Sequence, residues 1–165
     1  MAYGHNRDHG LDCTCGCHGN EHGHGHEHDH DHHEHEHHHD HLETVEFEWG
    51  RVELEAHVHD QAATVSMNVL PQEGCTITFS DLIGAMQSIA ETAEGAGGIV
   101  GHIKGLARQG SQYAHASVTS AGLAPTVEGD SSLPFGPGAT IQLVAIVLLI
   151  GQEDLLAICK GALAC

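Results

Sequence analysis

Val45-Glu46-Phe47-Glu48-Trp49-Gly50-Arg51-Val52-Glu53-Leu54-Glu55-Ala56-His57-Val58 carries an apolar side chain at every second position, with a single change of phase at Gly50. A period of two gathers these side chains on one face of an extended chain, whereas a helix would scatter them. The stretch therefore predicts one long strand, and the phase change predicts a bulge within it. Asp60-Gln61 follows as a tight connection to a second strand, roughly residues 62–70, with Ala63, Val65, Met67 and Val69 facing one way. Together they predict an antiparallel hairpin.

Downstream the period changes. Ser80 suits a helix N-cap, and Leu82, Ile83, Met86, Ile89, Ala90 and Ala93 recur at helical spacing until Gly95-Ala96-Gly97-Gly98 stops the helix, which is expected over about residues 81–94. Residues 99–107 and 113–119 read as two further strands joined by a turn around Gln109-Gly110-Ser111. Residues 120–138, with three prolines and four glycines, read as a long loop. The branched run at 141–150 predicts a buried central strand. Gln152-Glu153-Asp154 then opens a second helix that buries Leu155, Ile158, Cys159, Ala162 and Leu163. The order β-β-α-β-β-β-α predicts an α+β fold: a small antiparallel-rich sheet with two helices on one face.

Upstream the composition is of another kind. The first 42 residues hold 15 of the 19 histidines and three of the six cysteines, with almost nothing apolar to bury. A metal-binding tail over 1–42, disordered without metal, and a single domain over 43–165 are the expected division. The formal charge of −18 divides as −8 and −10 between these parts. Neither part has the basic stripe that nucleic acid requires, so nucleic-acid binding is excluded. The N-terminus lacks an apolar signal region and the longest apolar run is too short for a bilayer, so a soluble, cytoplasmic protein without membrane association is expected. In that setting the clustered cysteines read as metal thiolates and Cys75, Cys159 and Cys165 as reduced, with Cys159 a helix core residue.

Residues 22–41 carry the chemistry: His22, His24, His26, His28, His30, His32, His33, His35, His37, His38, His39 and His41 alternate with Glu27, Asp29, Asp31, Glu34, Glu36 and Asp40. Neutral imidazole suits nickel, zinc, copper and iron, and carboxylates add oxygen donors that offset cation charge. At about three to four protein ligands per ion, the run has room for roughly four to six labile ions. Its matches to the zinc-protease pattern His-Glu-x-x-His, at His26 and His33, are generated by the repeat and lack the rigid helix that chemistry needs. Cys13, Cys15 and Cys17, with His18 adjacent, offer a tighter sulfur and nitrogen chelate.

Cys13-Thr14-Cys15-Gly16-Cys17 followed by a His/Asp/Glu-rich stretch resembles the N-terminal metal region of the nickel-inserting GTPase of NiFe-hydrogenase maturation. The resemblance covers residues 12–41. It implies that Cys13, Cys15 and Cys17 are the high-affinity nickel ligands and that the histidines form a storage segment. The chain departs from the family pattern by one residue fewer between the first two cysteines. It has no Gly-Lys dipeptide, so neither a P-loop nor GTP hydrolysis carries over.

Within the folded part, His57 and His59 fall on one face of the first predicted strand beside Glu53 and Glu55, a candidate second metal site that His102 and His115 would complete. The whole reads as a non-catalytic metal-binding accessory protein, a metallochaperone or store, with nickel as the ion and zinc as the alternative. Its expected partners are the ions and a nickel-enzyme maturation protein, and the apolar C-terminal half suits a homodimer. The rival is a small metal-dependent enzyme with a substrate pocket formed by Gly95 to Gly105 and the 120–138 loop. No nucleophile, base and orienter constellation supports it.

Overall fold

The computed structural model describes residues 41–164. Nine strands and two helices follow one another as β1 (His41–Phe47), β2 (Gly50–His59), β3 (Ala62–Pro71), β4 (Ile77–Thr78), α1 (Phe79–Gly95), β5 (Ile99–Gln109), β6 (Gln112–Val118), β7 (Thr126–Gly129), β8 (Pro134–Phe135), β9 (Thr140–Leu148) and α2 (Gln152–Leu163). Seven strands form one antiparallel sheet in the order β1-β2-β3-β9-β5-β6-β7, and β4 pairs with β8. The fold is α+β. The C-terminal strand β9 is inserted between β3 and β5, a central place in the sheet that suits its branched residues.

Ile141, Leu143, Ala145 and Val147 of β9 share a buried layer with Val52, Leu54 and Ala56 of β2 and Val65, Met67 and Val69 of β3. Both helices cover this face, α1 over β5 and β6 and α2 over β3 and β2. Small residues let α1 approach closely. At Gly105 an added Cβ would stand 2.8 Å from Met86 Sδ and 3.0 Å from Leu143 Cδ2, so the methionine fills the space left by the missing side chain.

Several expectations are corrected. The phase change at Gly50 marks a turn between two strands, not a bulge: Phe47 pairs with Gly50 across Glu48-Trp49, so β1 and β2 form a hairpin of their own. Gly50 takes φ +156, and a Cβ there would collide with the Leu70 carbonyl. The sheet's bulge lies in β5, where the register shifts between Val100 and His102. Thr78, not Ser80, caps α1. Its hydroxyl accepts from Asp81 N at 3.3 Å while Asp81 Oδ2 accepts from Thr78 N at 2.9 Å, a reciprocal capping box. Ser80 instead donates to the Ser131 carbonyl at 3.0 Å.

The 120–138 segment is not a plain loop, since it contributes β7 to the sheet and β8 to the small ladder. Phe135 is fully buried, edge-on to Phe79 at 6.4 Å. In α2, Leu156 joins Leu155, Cys159 and Leu163 in the core, while Ile158 and Ala162 are partly buried. β1 begins at His41, so the first rung of the sheet, His41 opposite Ala56, lies before the expected boundary at residue 43.

Candidate metal site

Cys13, Cys15, Cys17, His18 and the histidines from His22 to His39 lie outside the described residues. Of His41 the backbone alone is described, paired in β1. The two histidines expected in the folded part are both placed, in the second strand of the sheet and not the first. His57 lies opposite Thr64, half-buried, with Nε2 3.4 Å from Glu55 Oε1. His59 closes β2 opposite Ala62. Its side chain is 92% exposed and its Nδ1 stands 3.2 Å from Asp60 Oδ2. The two residues share a face, as alternation requires, with their backbones about 7 Å apart along the strand. Asp60, at φ 54, then turns the chain away.

His102 and His115 do not complete this pair. His102 is in β5 and His115 in β6, and β3 and β9 lie between them and β2. At about 4.8 Å per strand, some 14 Å separates His57 from His102, beyond the reach of one ion. Topology is the cause: β9, from the far end of the chain, pairs into the middle of the sheet. His102 has other company. Its Nε2 lies 2.9 Å from Ser117 Oγ, and its pKa is held below the usual 6.5, first by partial burial and then by the charges of Lys104 and His115. Among the described residues no group of three or more His, Cys, Asp or Glu side chains is gathered in a form that could hold a metal.

Of the other three thiols, Cys75 and Cys159 are free cysteines and Cys165 lies outside the described residues. Cys159 is fully buried against the sheet, and burial pushes its pKa up to about 12. Cys75 is partly exposed, its Sγ 3.7 Å from Gln72 Nε2 and 3.9 Å from the Glu48 carbonyl oxygen.

One cleft had no signal in the sequence. About 240 Å3 opens between the β1–β2 turn and the two helices, lined by Trp49, Ile77, Asp81, Leu82, Ala85 and Leu163 among others. Trp49 Nε1 donates to the Leu163 carbonyl at 3.3 Å, anchoring the end of α2. The one carboxylate in this cleft, Asp81, is engaged in the helix cap. Of the glycines between Gly95 and Gly105, Gly98 and Gly105 are closely packed, Gly98 against Val147 and Ile150 and Gly105 under Met86, whereas Gly95 and Gly97 face open space. The 120–138 segment is tied to the body by Ala121 N donating to Glu94 Oε1 at 3.1 Å and by Gln109 Nε2 donating to the Pro137 carbonyl at 3.2 Å.

Comparison of the chain with protein-family models, with curated proteins and with solved structures finds no match. Among the described residues, no helix is long and apolar enough to cross a membrane.

Proposed function

We propose that this chain is a transition-metal-binding accessory protein that captures and stores nickel and hands it to a nickel-enzyme maturation protein. The observation that carries the reading is the sequence of residues 13–41: three closely spaced thiols next to twelve histidines within residues 22–41. Thiolates hold one ion firmly and an imidazole run holds several loosely, a combination suited to capture followed by release. The resemblance of this region to the nickel-inserting GTPase supports nickel as the ion. The folded unit then serves as the platform that docks on the receiving protein. Zinc buffering is the second reading, because the same imidazole donors suit zinc.

Titrating nickel and zinc into the metal-free full chain and into a chain starting at His41 tests the reading. The full chain takes up several more equivalents, and equal stoichiometry would refute it. Imidazole must be neutral to coordinate, so the extra capacity falls away as the pH drops through about 6.5. In the cell, replacing Cys13, Cys15 and Cys17 with Ser lowers nickel-enzyme activity when nickel is scarce, and added nickel restores it. A change confined to zinc tolerance would overturn the nickel assignment and favour zinc.

A further inference from the structure

The helices cover one face of the seven-stranded sheet, and among the described residues nothing covers the other. At its centre β9 presents Val144, Ile146 and Leu148, half-buried among their neighbours, beside Thr64 and Ser66 of β3. Four of the large apolar side chains most open to solvent, Leu42, Ile99, Leu106 and Tyr113, fall on this same face by their register. Thr140 and Gln142 continue the strand as polar residues, so the apolar part of this face is its half around Val144, Ile146 and Leu148, the kind of surface that another layer covers.

Charge on this face is divided by strand. Glu46 of β1 and Glu53 and Glu55 of β2 make one half acidic, with Arg51 held by Glu53 at 3.4 Å and with His57 and His59 further along β2. The other half carries Lys104 and Arg108 of β5, two of only five Lys and Arg residues in the chain, together with His102 and His115. Glu128 of β7 is the one acid there, opposite His115. In a chain of net charge −18, such a placement of bases selects what can lie on the face.

We propose that this open face is a self-association surface on which two copies of the chain pack sheet to sheet, about a two-fold axis running along β3 and β9. Such an axis exchanges the two halves, so the acidic β1–β2 side of each copy meets the basic β5–β6 side of the other, with Glu55 lying toward the partner copy's β5. Apolar β9 residues then meet across the centre. Seven strands about 4.8 Å apart, with ladders of about seven residues at 3.3 Å, give a face of roughly 29 by 23 Å. That approaches the ~800 Å2 per partner of a standard interface. Aligned packing of twisted sheets about 10 Å apart accommodates the geometry. The proposal stands apart from the metal reading, since every residue it uses lies in the folded unit.

Sedimentation equilibrium of the full chain in chelator tests it, because ions bridging two tails are then absent. The expected species is a dimer, twice 17.5 kDa, that weakens as salt is added. Ile146→Asp raises the dimer dissociation constant on the order of a hundredfold. Lys104→Glu, at an exposed position, weakens it about tenfold, and adding Glu55→Lys to Lys104→Glu restores most of the loss. A wild-type monomer at 100 µM, roughly the range of weak specific association, overturns the proposal. So does a dimer indifferent to both Ile146→Asp and Lys104→Glu, which would place the contact elsewhere.

Discussion

His102 shows how one residue's meaning depends on its neighbours. Read in sequence it is an isolated histidine on a strand. In the structure it shares a hydrogen bond with Ser117, and burial, Lys104 and His115 all lower its pKa from 6.5. A histidine that binds its proton less readily when folded than when unfolded makes the unfolded chain the stronger proton acceptor. Stability is therefore lost as pH falls below 6.5 toward the folded pKa. In chelator, His102→Gln should lose less stability between pH 7.5 and 5.5 than the parent, as read from urea midpoints. An unchanged slope would show that other groups carry the pH dependence. At the same scale, the shared face of His57 and His59 followed from alternation alone. What lies beside them did not, because their cross-strand neighbours belong to segments that become adjacent only on folding.

Periodicity located the elements well wherever each buries one face. The β2–β3 hairpin, α1, β5, β6, β9 and α2 all stand within a few residues of their expected positions. It failed where turn chemistry was atypical: Glu48-Trp49 lacks the Asn-Gly or Asp-Gly signature of a two-residue turn, so a hairpin looked like a bulge. It failed again at Ser80, because Thr78 also satisfies a cap, with Asp81 three residues on completing the box. The short β7 and β8 have no period to read. Packing between elements yields its own prediction at Gly105. Gly105→Val forces a branched side chain against Met86 and Leu143, and should cost about 1–3 kcal/mol in chemical denaturation. Adding Met86→Ala should recover part of that by making room. If Gly105→Val is as stable as the parent, the close approach of α1 to β5 is wrong.

For the whole molecule, the core among the described residues runs from Val52 to Leu163 with Val45 packed against it, and residues 1–40 carry almost nothing apolar to add to it. Removing residues 1–40 should therefore shift the melting temperature of the metal-free protein by no more than about 3 °C, within what small surface changes produce. Loss of a cooperative transition would show that the first 40 residues belong to the fold. The sequence by itself determined the α+β class, the position of most elements and the central placement of residues 141–150, and it is the basis on which metal binding by residues 13–41 is proposed. Each of these depends on local periodicity or on the intrinsic affinity of a side chain, which a chain carries with it. The tertiary structure alone decided that His57 and His102 stand apart, that β9 enters between β3 and β5, and that acids and bases divide across an open sheet face. Those are outcomes of strand order, and strand order is set by pairings such as Ala62 with Leu148, between segments far apart in the chain, which no local pattern records.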